Sequence, residues 1–168
     1  MEKENIMRKV RIDKIVLNIG GTGDSLEKGM RLLHLITGRK PTKTKTTKRI
    51  PTLGVKPGLE VGVVVTVRKD LAPFLKRMLF AIDNKLSKRQ ISNNNFSFGI
   101  KEYIEVPGME YQRDIGILGF DVTVVFKRAG RRVRLRKIKQ GKIPKRQVIT
   151  REEIIKFMEE HFQTQFRK

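Results

Sequence analysis

Apolar and polar residues alternate in four stretches of the chain, and a period of two places successive side chains on opposite faces of a strand. In VRIDKIVLNIGG (residues 10–21), Ile15, Leu17 and Ile19 share one face, and Val16, Asn18 and Gly20 take the other. EVGVVVTVR (60–68) sets Val61, Val63, Val65 and Val67 against Gly62, Val64 and Thr66. NFSFGIKEYIEV (95–106) sets Phe96, Phe98, Ile100 and Ile104 against Lys101, Tyr103 and Glu105. GFDVTVVFKR (119–128) sets Phe120, Val122, Val124 and Phe126 against Asp121, Thr123, Val125 and Lys127.

Between these strands the period lengthens. Leu26, Met30 and Leu33 share a helical face over residues 26–37, with Asp24 or Ser25 as cap, Gly38 as stop and Pro41 preventing resumption. Leu71, Phe74, Leu75, Met78, Leu79, Ile82 and Leu86 recur at three and four behind Asp70 as cap, with Pro73 in the first turn. Thr150 and Glu153 match a capping box ahead of Ile154, Phe157, Met158 and Phe162. Strands and amphipathic helices in this order predict an α+β fold: two layers, a largely antiparallel sheet with the helices on one face. The other face then stays open and polar, and it displays Asn18, Thr66 and Thr123. Residues 1–128 form a single domain on this reading, with residues 129–168 as a basic tract and C-terminal helix packed on or appended to it.

Charge adds a partner to this picture. The 168 residues carry 38 Lys and Arg against 17 Asp and Glu, a net +21. No acid occurs between residues 28 and 59, which hold nine basic residues, nor between 122 and 151, which hold twelve. The whole excess sits in these two tracts, and the remainder of the chain is neutral. Densely spaced phosphates reward such tracts through counterion release, so nucleic acid is the expected partner. RNA is preferred to DNA because no DNA-reading helix is evident and a polar sheet face suits an irregular RNA. The chain has no cysteine, which removes disulfides and thiolate metal sites and fits a reducing compartment. The charged N-terminus MEKENIMRKV has no apolar signal core, and no apolar run is long enough to span a membrane. No membrane partner is expected.

Within the first tract every residue from 42 to 49 is Thr, Lys or Arg. The alternation Thr42, Lys43, Thr44, Lys45, Thr46 reads as a strand with lysines on one face and threonines on the other. Its lysines are expected on the open face, beside Lys48 and Arg49. A loop built on Pro51, Gly54, Pro57 and Gly58 follows. GGTGDS after the first strand lacks the lysine and hydroxyl spacing of a P-loop and reads as a tight turn. His34 and His161 are far apart, so no metal ligand set and no cofactor is expected. Asp13, Asp114 and Asp121 have no spacing that singles them out for Mg²⁺, and no nucleophile–base pair stands out. Binding rather than catalysis is the expectation. A carboxylate-metal RNA-processing enzyme and a cationic chaperone or DNA-compacting protein remain as alternatives.

KIVLNIG, TGRKPTKTKTTKRI, VTVR, NNNFSFGIKEYIEV and DIGILGFDVTVVFKRAGRR together resemble the large-subunit ribosomal protein five family, called large-subunit protein eleven in eukaryotes. IPKRQVITREEIIKFMEEHF resembles the C-terminal extension of its archaeal and eukaryotic branch, and the chain looks most like an archaeal member. The resemblance implies a non-enzymatic protein of the central protuberance, in the cytoplasmic ribosome. Its partners are then 5S rRNA, large-subunit rRNA, other central-protuberance proteins, small-subunit protein thirteen and P-site tRNA. It implies that Asn18 contacts 5S rRNA, as does the position of Arg39, usually a glutamine in the family. It matches Thr66 to the threonine of the family's VTVR-like motif. The rRNA-binding set is then Asn18, Arg39, Lys40, Lys43, Lys45, Lys48, Arg49 and Thr66. The loop Pro51, Thr52, Leu53, Gly54, Val55, Lys56, Pro57, Gly58 corresponds to the family loop that points toward tRNA and the small subunit. Further rRNA contacts are expected from Arg131, Arg132, Arg134, Arg136, Lys137 and Lys139.

Overall fold

The computed structural model describes residues 5–167; the start of the charged N-terminus, residues 1–4, lies outside them. In chain order the elements are β1 (Arg11–Gly20), α1 (Asp24–Thr37), β2 (Thr42–Lys45), β3 (Glu60–Val67), α2 (Leu71–Phe80), β4 (Lys85–Ser87), β5 (Ile91–Ser92), β6 (Asn95–Ile100), β7 (Phe120–Lys127), α3 (Arg132–Leu135), α4 (Arg151–Phe162) and β8 (Gln165–Arg167). Six strands form one sheet in the order β2-β3-β1-β7-β6-β5, with every neighbouring pair antiparallel. A separate parallel pair joins β4 to β8. This is the expected α+β architecture.

The alternating strands bury the faces that their pattern indicates. Ile15, Leu17 and Ile19 of β1, Val63, Val65 and Val67 of β3, and Phe120, Val122, Val124 and Phe126 of β7 are all buried. They join one cluster with Leu26, Leu33 and Ile36 of α1, Leu75, Met78 and Leu79 of α2, and Ile154, Met158 and Phe162 of α4. The three long helices therefore pack on the same side of the sheet. Each such aliphatic residue contributes about 1.5–3 kcal/mol by leaving water. Phe157 of α4 meets Phe126 of β7 edge-on at 5.5 Å between ring centres, tying the C-terminal helix to the sheet.

Helix ends follow their local chemistry where backbone geometry permits. Gly38 is left-handed (φ 63°) and its N–H donates to the His34 carbonyl, closing α1. Thr150 and Glu153 form the reciprocal capping box of α4. The caps expected of the other two helices are not made by side chains. Gly23, not Asp24 or Ser25, stands at the N-cap of α1. Asp70 precedes α2 in the left-handed region (φ 52°) and accepts no capping hydrogen bond. Side-chain caps normally need extended backbone at that position.

Two predicted elements are shorter than their patterns. The period-3.6 run continues to Leu86, but α2 stops at Phe80 and Leu86 is buried as part of β4, opposite Phe166 of β8. Asp83 and Asn84, both at φ 54°, make the turn between them. Alternation continues to Val106, but β6 ends at Ile100. A 3-10 turn at Tyr103–Glu105 then reverses the parity. Tyr103, expected on the polar face, is fully buried and its hydroxyl accepts the Gln112 N–H at 2.8 Å; Ile104, expected inside, is exposed.

Candidate nucleic-acid interface

Registry across the sheet builds the uncovered face row by row, because paired residues of antiparallel strands point the same way. One row runs Thr42, Val64, Asn18, Asp121, Gly99; the next runs Thr66, Val16, Thr123, Ser97; a third ends in Thr44, Gly62 and Gly20. Asn18, Thr66 and Thr123, separated by up to about a hundred residues in sequence, thus share one platform of small and hydroxyl-bearing groups, each half-buried. Gly62 is required for this surface: a Cβ there would lie 2.8 Å from the Thr44 hydroxyl and 3.7 Å from Asn18 Oδ1. Asp121 is the exposed carboxylate of the face, poised over Gly99.

The Thr/Lys strand turns the opposite way from the expectation. Thr42 and Thr44 pair with Val64 and Gly62 and look onto the platform, whereas Lys43 pairs with Val63, whose side chain is in the core. Lys43 is held by Glu60 at 3.0 Å. Register decides this, because a shift by one residue exchanges the two faces. A bulge between Thr44 and Lys45 then sets Lys45 opposite Glu60. Lys40, Lys45, Lys48 and Arg49 are exposed along this edge. Arg39 is half-buried, and its guanidinium reaches the Thr66 carbonyl at 3.4 Å, where β2 is too short to offer a backbone donor.

The loop after β2 is ordered by its own hydrogen bonds. Ile50 and Val55 exchange backbone bonds, Gly58 N–H donates to the Thr46 carbonyl, and Thr46 N–H to that of Leu59. Pro51, Thr52 and Leu53 form a 3-10 turn ended by left-handed Gly54 (φ 64°). Val55 is buried, Lys56, Pro57 and Gly58 are exposed, and the Leu53 side chain lies outside the described set.

The second basic tract leaves the opposite end of the sheet. Asp13, at the β1 bulge, binds Lys127 at 2.7 Å and Arg131 at 3.1 Å. It is therefore neutralised in place rather than free for a metal, and Arg131 is partly committed to the fold. Arg132, Arg134, Arg136, Lys137 and Lys139 are exposed. Arg128 donates to the Arg146 carbonyl at 2.7 Å and pairs with Glu153, the capping residue of α4. Among the described residues no group of three or more His, Asp or Glu gathers as a metal site. His34 faces the Arg39 carbonyl and His161 stacks on Phe157. The GGTGDS turn opens onto Asp24 and Glu27 in the first turn of α1, two carboxylates that oppose a phosphate there.

One surface was missed in the residue patterns. Residues 102–121 hold Glu102, Glu105, Glu110, Asp114 and Asp121 against Arg113 alone, a reversal of sign in a chain of net +21. Ile104, Tyr111 and Ile117 are exposed within it, while Tyr103, Val106 and Ile115 anchor it to the core. Strand directions put this segment at the same end of the sheet as the loop after β2, away from the second basic tract. The sign reversal is visible in sequence; the exposed apolar groups are not.

Known proteins match along nearly the whole chain. Residues 5–56 match the family model described as ribosomal protein L5, and residues 60–157 match the model of the C-terminus of the same ribosomal family. The large ribosomal subunit protein uL5 of Nanoarchaeum equitans is 42% identical over 96% of this chain and 98% of its own length. That of Sulfolobus acidocaldarius is 42% identical over 96% and 93%, and that of Methanococcus maripaludis 37% over 98% and 94%. With both family models and archaeal relatives aligned end to end, the chain belongs to the ribosomal L5 protein family, as an archaeal-type member.

Proposed function

We propose that this protein is a structural component of the large ribosomal subunit that binds 5S rRNA and helps seat it in the central protuberance, beside large-subunit rRNA and neighbouring proteins. The observation that carries the reading is the uncovered sheet face. Asn18, Thr44, Thr66, Thr123 and Ser97 offer hydrogen-bonding groups on a platform rimmed by Lys40, Lys45, Lys48 and Arg49. Short polar groups read sugar and base edges, and flanking cations neutralise phosphates. Residues 1–128 supply this surface, and residues 129–168 meet other rRNA through Arg132, Arg134, Arg136, Lys137 and Lys139.

The loop of residues 51–58 is the element that reaches P-site tRNA. The acidic segment of residues 102–121 suits a different partner. Glu102, Glu105, Glu110 and Asp114, outside the sheet platform, repel RNA, and with exposed Ile104, Tyr111 and Ile117 they favour a basic protein surface. The resemblance points the loop of residues 51–58 toward the small subunit as well as tRNA, and small-subunit protein thirteen is our proposed partner for the acidic segment beside it. Chemical footprinting of the pure protein on 5S rRNA tests the central claim. Protection confined to one region at moderate salt is expected; equal affinity for duplex DNA would establish a general polycation instead.

A further inference from the structure

Residues 126–148 fold back beside the end of β7. The Gly141 N–H donates to the Val133 carbonyl at 3.1 Å, closing the turn that contains α3. Between this turn and β7 lies a cleft of about 730 Å³. Its walls include Met7, Val133, Ile143 and Val148, an apolar lining unusual in so basic a tract. Five cations also line it: Lys127, Arg128, Arg131, Arg134 and Lys142. Asp13 pairs with Lys127 and Arg131, and Glu153 with Arg128; Arg134 and Lys142 make no ion pair among the described residues. Arg128 is 10% exposed, and its Nε is buried without a hydrogen-bond partner.

These features call for a ligand with a flat, weakly polar body and an anionic group. A bare phosphate leaves the aliphatic walls in water, and an apolar ligand leaves Arg134 and Lys142 unmatched. We propose that the cleft takes one unstacked nucleotide of the subunit's RNA, with its base between the aliphatic walls and its phosphate at Arg134 and Lys142. RNA is commonly recognised through splayed-out bases, and a base buried here gives the protein a fixed register that phosphate contacts alone lack. The proposal rests on the rRNA-binding reading above and adds a defined receptor to it.

The test is methyl-detected NMR of the full chain, titrated with AMP, inorganic phosphate, a glutamate-rich peptide, and an RNA hairpin with or without one bulged adenosine. Saturable shifts of the Met7, Val133, Ile143 and Val148 methyls are expected with AMP, and the bulged hairpin should bind about fivefold or more tighter than its unbulged form. Val133→Trp, at a partly exposed position, fills the cleft and preserves every charge. It should weaken the AMP response about tenfold while the core methyls of Ile15 and Leu17 stay in place. An equal response to phosphate, a stronger one to the peptide, or no preference for the bulge overturns the proposal. Binding of wild-type protein to large-subunit rRNA is measured in parallel. Binding with silent cleft methyls rejects the cleft alone; failure to bind rRNA rejects the ribosomal reading, and the AMP titration still decides the cleft.

Discussion

Single residues on the platform have separable duties. Asn18 and Thr66 are half-buried and alternate with the core-facing Leu17 and Val65, so they lie on the other side of the sheet from the cluster. Replacing either with alanine should weaken 5S rRNA binding by about 1–3 kcal/mol while leaving thermal unfolding nearly unchanged, since a lost partner on the RNA is left unsatisfied. Filter binding alongside calorimetry checks this, and unchanged affinity in both variants would remove the platform from the RNA site. Gly62 behaves differently. A Cβ there presses on Thr44, so Gly62→Val should disturb both the β2 edge and Asn18, lowering affinity and stability together. Glu153 serves two elements at once, capping α4 and holding Arg128. Glu153→Ala should therefore cost roughly 2 kcal/mol in urea denaturation, more than a cap alone. A loss below about 0.5 kcal/mol would show that the Arg128 contact adds nothing.

At the scale of elements, the loop after β2 and the segment between β6 and β7 share one end of the sheet but carry opposite charge. Thr46 exchanges backbone bonds with Gly58 and Leu59 at the base of the loop, so the tip can be shortened between Pro51 and Gly54 without opening the sheet. That deletion should leave 5S rRNA affinity intact and impair tRNA positioning in reconstituted ribosomes. Neutralising Glu102, Glu105, Glu110 and Asp114 should have the complementary effect: weaker subunit joining with unchanged or tighter RNA binding. Light scattering of subunit association separates the two variants. A collapse of 5S binding in the loop deletion would assign the loop to the RNA site instead.

At the scale of the whole molecule, affinity should be governed by charge that is free to meet phosphate. If about six cations do so, the log–log dependence of 5S rRNA binding on salt has a slope near −4 to −5. Gln replacement of Lys43, Lys45, Lys48 and Arg49 should flatten it by roughly two to three units, because Lys43 is already matched by Glu60 and the other three are exposed. The corresponding change at Lys137, Lys139, Lys142 and Lys145 should affect 5S rRNA less, since that tract leaves the other end of the sheet. A salt series on both variants measures this, and a larger loss in the second reverses the assignment of the tracts.

Much of this molecule was legible from short-range pattern alone. The buried faces of β1, β3 and β7, the glycine that ends α1 and the capping box of α4 follow from residues within a few positions of one another, because pleat, helical period and cap geometry are local. Charge counting located both basic tracts and pointed to RNA, and the family motifs added the ribosome as its setting. Three features depended on contacts distant in sequence. Leu86 follows a helical period yet is held in β4 by β8, some eighty residues onward, where strand pairing and burial outweigh helical propensity. Tyr103 crosses from the polar to the buried side because a 3-10 turn shifts the phase of the alternation, and phase is set by the core it packs into. Thr42 and Thr44, rather than Lys43, look onto the platform because the register with β3 assigns the faces of an edge strand, and an alternating run of threonine and lysine fits either register until a hydrophobic neighbour, here Val63, claims one side.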